Sequence, residues 1–414
     1  MKRAFIFVFA FLLPLLTGCR SDEKVTVIKG PGSANNSLMV DFGELCPGYV
    51  EGFSGKSLIV SRDNGGNRIE FYGIDTSSKE QVKLLSAFKY SNYYFKVSRN
   101  GEKFLYENYM VDIEKKSSLL LPKTEAGMPH RPGGFPPIAD YSFDGSGGLI
   151  YINPFYYINK YYKNKVQSFK EGTEGLLPAS FMKIRDSKES IEIPGYYNIE
   201  IPEIDFIKDG ELLLDQLKYV FIGHKKGSDE TPLYIFDIFE KRFQLADPDV
   251  KSYYIAPDNK KIAFIKKAGG GNFENKLIIS DIDGKEKKGI KTFQEIAGVA
   301  WSADGNWLAY TGGEREKNDV YIIKSDGSDE EQLTQGINPT GKIAWSESGD
   351  EIAFTSGYDD AEPKQTVYLI KMNMDMAEKS ENTVQNTARE EMMRKLGEII
   401  RVETDANRRK TVTQ

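Results

Sequence analysis

The sequence predicts an all-β protein built from one four-stranded unit that recurs along the chain. Three observations predict it: a repeat period near 44 residues, a recurring turn of the Ser-x-Asp/Asn-Gly type, and short strands rich in β-branched and aromatic residues around those turns. Ser54, Ser98 and Ser142 lie 44 residues apart, and the clearest copies, 300–310 and 344–354, keep that spacing. A constant period of this size indicates one supersecondary unit repeated in space.

Each repeat has the order strand, turn, strand, loop, strand, turn, strand. In the clearest copy, Asp304-Gly305 forms the first turn, Asp319–Ile323 the third strand, Asp326-Gly327 the second turn and Glu331–Thr334 the last strand. Alternating strands joined by Asp-Gly turns favour antiparallel hairpins. Four antiparallel strands per radially repeated unit are typical of a β-propeller blade.

Seven first turns predict a seven-bladed propeller of four-stranded antiparallel blades. They lie at Ser54, Ser98, Ser142, Asp209-Gly210, Asp258, Asp304 and Ser348. The alternative is a six-bladed propeller, in which either the Asp209-Gly210 motif or the Ser54 motif does not mark a separate blade.

The strongest copies also carry a family resemblance. Trp-Ser-x-Asp-Gly-x-x-Leu-Ala-Tyr, followed by Asp-Val-Tyr-Ile-Ile-x-x-Asp-Gly-Ser and Gln-Leu-Thr, resembles the TolB-like (WD-type) propeller repeat, most clearly over residues 250–372. The resemblance implies a periplasmic or surface propeller that mostly binds proteins. TolB itself has six blades and a separate N-terminal domain, so seven turns and a short N-terminal remainder distinguish this chain from TolB.

The ends of the repeat array predict how the ring closes. No clear fourth strand follows Val367–Ile370, because 372–382 is polar and rich in methionine. Val25–Ile28 and Leu38–Val40 are spare strand candidates near the N-terminus. If one of them completes the last blade, it joins the two ends of the chain and removes exposed strand edges.

The N-terminal sequence predicts where the protein is located in the cell. Lys2 and Arg3 precede an apolar stretch, Phe5–Leu16, which is too short to span a bilayer. Leu16-Thr17-Gly18-Cys19 then resembles the lipobox of bacterial lipoproteins, which implies cleavage before Cys19 and its acylation, so that lipid chains hold the protein at a membrane. The alternative is an ordinary cleaved signal peptide. In enteric bacteria, an Asp directly after the acylated cysteine favours retention at the inner membrane. This chain has Arg20 there, which favours the outer membrane, and both a periplasmic and a surface-facing orientation remain open.

The chain divides into four parts. We predict a lipoprotein signal peptide at 1–18, a tether with a possible closing strand at 19–45, the propeller at 46–374 and a polar tail at 375–414. A short C-terminal helix is predicted near 388–402, because a capping-box pattern precedes apolar residues at helical spacing. This helix either packs on the propeller rim or binds a partner.

Composition limits the partners. The formal net charge is −6 and no basic stripe is present, which excludes nucleic acid as an expected partner. With Cys19 acylated, Cys46 has no second cysteine for an intrachain disulfide, so the fold depends on its core. A hydrophobic content of 40% is enough for one large core at this length.

Two unusual loops form the candidate binding face. Both belong on the side of the propeller opposite the short turns, and loops of unusual length on a rigid scaffold often carry function. One spans 127–137 and the other is an aromatic insertion at 154–178. Their candidate residues are His130, Arg131, Phe135, Phe155, Tyr156, Tyr157, Tyr161 and Tyr162. These rings either bind a protein or glycan partner or form a local core over the blade.

Catalytic signals are weak, and we lean against an enzyme. The chain has two histidines, no Gly-x-Ser-x-Gly motif and no metal-ligand spacing, so no catalytic residue, metal or cofactor is predicted. The first hypothesis is a lipid-anchored, non-catalytic scaffold that binds a protein or envelope component. The alternative is a lyase or glycosidase that acts on polysaccharide, although propeller lyases of the oligogalacturonate type use several histidines around a metal.

Overall fold

The computed structural model of the chain describes residues 40–372, apart from 91–92, 94, 99–100, 108, 121–140, 144–148, 153–175, 186–188, 201–203, 214–217, 238–239, 241, 269–273, 315–316 and 358–364. Within these ranges the regular elements are all β-strands. None of the described residues forms a helix suited in length and apolar character to crossing a bilayer. Cys19 and the predicted helix at 388–402 lie outside the described residues.

The structure contains 28 strands in its described parts. In chain order they are β1 (Val40–Pro47), β2 (Tyr49–Ser54), β3 (Ser57–Asp63), β4 (Arg68–Asp75), β5 (Gln81–Phe88), β6 (Phe95–Val97), β7 (Lys103–Tyr106), β8 (Tyr109–Asp112), β9 (Ser117–Leu120), β10 (Tyr141–Phe143), β11 (Leu149–Ile152), β12 (Leu176–Arg185), β13 (Glu189–Glu200), β14 (Ile204–Leu213), β15 (Lys218–Lys225), β16 (Leu233–Asp237), β17 (Arg242–Asp247), β18 (Ser252–Ile255), β19 (Lys261–Lys267), β20 (Asn275–Asp281), β21 (Lys288–Phe293), β22 (Val299–Trp301), β23 (Trp307–Glu314), β24 (Lys317–Lys324), β25 (Glu331–Gln332), β26 (Pro339–Trp345), β27 (Glu351–Ser356) and β28 (Thr366–Met372).

These strands pair into four-stranded antiparallel sheets, as the repeat predicts. Six sheets are described with their side chains: β2–β5, β6–β9, β14–β17, β18–β21, β22–β25, and β26–β28 with β1. The first strands of neighbouring blades meet, β2 with β6 and β26, and β22 with β18 and β26. A further sheet, β10–β13, is described by its backbone pairing. Six propeller blades are therefore established, and the count of seven is not confirmed and stays a prediction.

The short turn between the first two strands of a blade explains the serine in the repeat. In the β22–β23 turn the Ser302 hydroxyl accepts a hydrogen bond from the Trp307 backbone N–H at 2.9 Å. The Gly305 N–H donates to the Ser302 carbonyl at 2.9 Å, with a φ of 70° at the glycine. Equivalent serine hydroxyls accept the N–H five residues later in two other blades, at Ser98 and Ser346. In these three turns a serine hydroxyl caps the hairpin, whereas the β18–β19 turn has Ala256 at the same place and keeps the positive-φ residue, Asn259.

One predicted turn is wrong. Asp209-Gly210 lies inside β14, where Asp209 pairs with Ile222 and Gly210 with Phe221. A Cβ at Gly210 would collide with the Tyr219 hydroxyl, so this glycine allows a close approach instead of a turn. The connection between β14 and β15 is at 214–217, which lies outside the described residues.

The ring is closed by an N-terminal strand. β1 pairs with β28, with Val40 opposite Met372 and Pro47 opposite Thr366. Leu45 and Cys46 of β1 are buried against the β2–β5 blade. The N-terminal closure is as predicted, but the strand begins where the Leu38–Val40 candidate ends and continues past the expected propeller boundary at residue 46. The other candidate, Val25–Ile28, lies outside the described residues.

The core lies between neighbouring blades. Each cluster of buried side chains combines residues of two adjacent sheets, as when Val220 and Ile235 of one blade pack with Ile262 and Phe264 of the next. This is face-to-face packing of sheets, so both faces of a blade's central strands are apolar. The inner strands are thereby held on a rigid frame, and their remaining side chains can form a site at the centre.

Candidate functional site

A cleft of about 410 Å³ lies at the centre of the propeller. It is lined by the first strands of four blades, β6, β14, β18 and β22, and by Pro257 just after β18. Aromatic and charged side chains form much of its wall, and those used below are Phe95, Lys96, Glu211, Tyr254 and Trp301. The volume is in the range of small-molecule and peptide-anchor sites.

The charged part of this cleft is an ion pair between two blades. The Lys96 ammonium on β6 lies 2.8 Å from a Glu211 carboxylate oxygen on β14. Both side chains are about one quarter exposed, at 24% and 23%. The two opposite charges offset each other, so this part of the cleft presents no net charge.

The opposite wall is fixed by the repeat tryptophan. The Trp301 indole N–H donates to the Tyr254 carbonyl at 2.9 Å, which joins β22 to β18. Trp301 is buried, and Tyr254 is partly buried and packs against the same cluster. In this blade the indole therefore supplies both bulk and a hydrogen-bond donor at a blade junction, whereas the Trp345 indole N–H donates to the Gly349 carbonyl of its own turn at 2.9 Å.

A second polar cluster surrounds Glu51 on β2. The Glu51 side chain is 1% exposed, and its carboxylate lies 2.6 Å from the Lys342 ammonium on β26. It also accepts hydrogen bonds from the Ser61 hydroxyl, at 2.7 Å, and from the Tyr93 phenol. A buried carboxylate is costly unless it is paired and hydrogen-bonded, and here three donors surround it.

Strand irregularities aim these two side chains. The pairing of β2 with β3 shifts between Val50 and Gly52, and that of β26 with β27 shifts between Thr340 and Ile343. Glu51 and Lys342 both occupy the extra positions. A β-bulge redirects a side chain out of the regular alternation, which is how both groups meet beside the first strands.

Phe95 connects the two clusters. It lines the cleft, and the Lys342 ammonium lies 4.7 Å from the centre of its ring. On the blade side the ring is stacked on Phe71, with centroids 5.6 Å apart and an interplanar angle of 11°. A cation over an aromatic face is a favourable contact. Changes at Lys342 are therefore expected to reach the cleft through Phe95.

Burial fixes the protonation of the phenol in this cluster. Burial, and secondarily the Glu51 carboxylate, raises the pKa of Tyr93 well above its usual range. The phenol therefore stays protonated at neutral pH and serves as a hydrogen-bond donor. Both lysines of the site face a carboxylate, Lys96 at Glu211 and Lys342 at Glu51.

The described residues contain no grouping of three or more His, Cys, Asp and Glu that could hold a metal ion. The candidate face that the sequence predicts comprises residues from His130 to Phe135 and from Phe155 to Tyr162. All of them lie outside the described residues, so whether they are neighbours stays a prediction. The strand order places their loops between β9 and β10 and between β11 and β12.

Sequence reasoning missed four residues of the site: Glu51, Lys96, Glu211 and Lys342. Each is a charged residue in the first strand of a blade, where the repeat otherwise places apolar or small residues. That exception is a usable signal. The bulges that aim Glu51 and Lys342 follow from strand register and are not visible in the repeat.

Comparisons with known proteins support the fold. No family model matches the chain. An oligogalacturonate lyase in complex with manganese is similar, with 12% identity and a TM-score of 0.54 over 84% of this chain and 97% of that chain. An oligogalacturonate lyase from Vibrio parahaemolyticus has 11% identity and a TM-score of 0.53 over 84% and 98%. TolB from Acinetobacter baumannii has 14% identity and a TM-score of 0.42 over 71% and 65%.

At 12% and 11% identity, the likeness to the two oligogalacturonate lyases shows the fold alone and leaves the activity open. It agrees with the repeated four-stranded sheets of this chain. The propeller repeat implied by the TolB-like sequence pattern is therefore confirmed as a fold.

Proposed function

We propose that this chain is a lipid-anchored, extracytoplasmic propeller that binds a protein or glycan of the bacterial envelope without transforming it. The observation that carries the proposal is the central cleft, whose charged side chains Lys96 and Glu211 pair with each other on rigid inner strands. A preorganised cleft of paired charges and aromatic rings favours binding, because few groups must be ordered when the ligand enters.

Site-specific photocrosslinking in cells tests this function. A photoreactive phenylalanine replaces Tyr254 in the cleft or Tyr157 in the predicted loop face, with Glu286 on the opposite face as the control position. We expect a discrete adduct with an envelope protein or glycan from Tyr254 or Tyr157 and none from Glu286. Full-length, membrane-associated protein that gives no specific adduct from either position would contradict the proposal.

The anchor is a separate part of the proposal. Its support is the order of the positive, apolar and Leu-Thr-Gly-Cys segments before residue 20. Cys19→Ser is expected to abolish metabolic palmitate labelling and to release the folded protein from membranes, whereas Cys46→Ser, at a buried strand position, is expected to leave labelling unchanged. Labelling that persists in Cys19→Ser would rule out acylation at this position.

The proposed architecture has seven blades. The β10–β13 sheet is the candidate for the additional blade, and the 44-residue spacing of Ser98 and Ser142 supports its place after β6–β9. In that architecture the loops at 127–137 and 154–178 meet on one face, beside the entrance to the centre. An experimental density map with six blades would overturn this count.

Polysaccharide cleavage is the alternative function. The fold is that of the two oligogalacturonate lyases, and an aromatic cleft suits a sugar ring as well as a peptide. Incubation of the purified chain with oligogalacturonate and with peptidoglycan, with and without added manganese, separates the two functions. If the chain cleaves one of these substrates, and Lys96→Met or Glu211→Gln abolishes the cleavage, the protein is an enzyme and the proposal of a non-catalytic binding protein is wrong.

A further inference from the structure

The two faces of the propeller differ in their chain connections. The turn face carries the connections between first and second strands and between third and fourth strands, such as 302–306 and 325–330. The loop face carries the remaining connections within and between blades. The sheet order decides on which face the chain enters and leaves the ring.

The C-terminal strand of the ring ends at the turn face. Met372 is the last residue of β28, and its backbone N–H donates to the Asp350 carbonyl at 2.7 Å. Asp350 belongs to the turn between β26 and β27. The other end of β28 lies at the loop face, where Gln365 precedes it.

The N-terminal strand begins beside that end. Val40 lies opposite Met372, and the antiparallel register continues to Pro47 opposite Thr366. The Gly48 N–H donates to the Gln365 carbonyl at 2.8 Å, which places the exit from β1 at the loop face. The chain therefore enters the ring at the turn face. Near this entry the Phe42 ring stacks on Tyr368, with centroids 5.2 Å apart. Leu45 and Cys46, toward the loop-face end of the strand, are buried.

We infer that the turn face is the membrane-facing surface of this protein, and that the loop face points away from the membrane. The inference rests on the proposed acylation of Cys19. Residues 20–39 join the anchor to Val40, so the shortest connection from lipid to propeller ends at the turn face. Strands of seven or eight residues at ~3.3 Å per residue separate the two faces by about 25 Å.

This orientation has a consequence for recognition. The segment 127–137 lies between β9 and β10, and the predicted insertion 154–178 lies between β11 and β12 except for its last three residues, which begin β12. Both are loop-face connections in the strand order. A partner bound by these loops approaches from the side away from the anchoring bilayer. The chemical partner of the turn face is then a phospholipid headgroup surface.

Energy transfer to labelled lipids measures the orientation. The full acylated chain is purified from membranes and reconstituted into phosphatidylcholine vesicles that carry a headgroup-linked acceptor dye. Single cysteines for a donor dye replace Glu347 and Glu286 on the turn face, and Asn64 and Lys226 on the loop face; all four residues are exposed. Buried Cys46 and acylated Cys19 are not expected to take the dye, and the unsubstituted chain is the control for this background.

We expect about twofold or greater transfer from Glu347 and Glu286 than from Asn64 and Lys226, because about 25 Å separates the faces. Equal transfer from the four positions, or greater transfer from the loop face, overturns the orientation while leaving the anchor intact. Flotation of the vesicles tests the anchor itself: a wild-type chain that does not float with the lipid overturns the acylation proposal and the inference built on it.

Discussion

Gly305 is a position where backbone geometry decides which residue the repeat tolerates. Its φ is 70°, and a Cβ there would lie 3.3 Å from the Asp258 carboxylate of the neighbouring blade. The equivalent residue of the β18–β19 turn is Asn259, with a φ of 58°. Asparagine enters this left-handed region more readily than other side chains, and alanine does so at a cost of ~1–2 kcal/mol.

We therefore expect Gly305→Ala to lower the free energy of unfolding by about 1–2 kcal/mol and Gly305→Asn to lower it by less. Both variants bring a Cβ toward Asp258, so their difference isolates the backbone effect. Urea unfolding followed by tryptophan fluorescence measures both. Equal losses in the two variants would assign the cost to the contact with Asp258 instead of to φ.

Glu70 predicts a dependence of stability on pH. Hydrogen bonds from Lys83 and then from the Tyr72 phenol lower the pKa of this carboxyl. A lowered pKa in the folded state stabilises the protein above the unfolded carboxyl pKa of ~4.3, and this contribution disappears as the pH falls through the folded value. Because Lys83 is half exposed, the contribution is below ~1 kcal/mol.

Glu70→Gln is thus expected to be less stable than the wild type at neutral pH, with the gap closing as the pH falls below about 4. Paired urea titrations across this range measure the gap. A gap that stays constant with pH would show that the Glu70 charge contributes nothing to folding.

At the scale of strands and turns, the sequence predicts what local chemistry controls. The positive-φ residue and the apolar alternation predict the hairpins of the β18–β21 and β22–β25 blades, with a serine added in the second, and the structure confirms them. The Asp209-Gly210 motif was misleading because its glycine makes room for Tyr219 on the neighbouring strand. A contact between strands is not visible in the residues of the motif itself. The central cleft was missed for a related reason, since the Lys96–Glu211 pair depends on the relative position of two blades.

Glu51 and Lys342, which lie at bulges of the neighbouring strands β2 and β26, are expected to be coupled in their effects on the free energy of unfolding. Lys342→Met leaves the Glu51 carboxylate buried with its Ser61 and Tyr93 donors but without its cation. We expect a loss of about 1–3 kcal/mol in the free energy of unfolding, limited by the half exposure of Lys342. The double variant Glu51→Gln/Lys342→Met is expected to lose less than the sum of the single variants.

Lys89→Met is the matched control for that pair. Lys89 is 42% exposed, close to the 47% of Lys342, but its partner Asp63 is 46% exposed instead of buried. Its loss is expected to be clearly smaller than that of Lys342→Met, because exposed ion pairs contribute little. Equal losses in Lys89→Met and Lys342→Met would show that burial of the Glu51 carboxylate has no energetic consequence.

At the scale of the whole molecule, the eight-residue strand β1 closes the ring of blades, and we expect the stability of the ring to depend on it. β1 supplies the outer edge of the β26–β28 blade and brings Leu45 and Cys46 into the core shared with β2–β5. Without it, β28 becomes an exposed edge, and exposed edges pair with other chains.

Two truncations separate the tether from the closing strand. Deletion of residues 1–39 is expected to leave the melting temperature and the monomeric elution volume unchanged, because β1 is retained. Deletion of residues 1–47 is expected to lower the free energy of unfolding by at least ~3 kcal/mol, since truncating a buried leucine alone costs 2–5 kcal/mol, and to produce oligomers through the β28 edge. Calorimetry and size-exclusion chromatography measure both effects. If the two truncated proteins are equally stable and both monomeric, β1 contributes little to the stability of the closed ring. The contacts between the inner strands β2 and β26 would then hold the ring together.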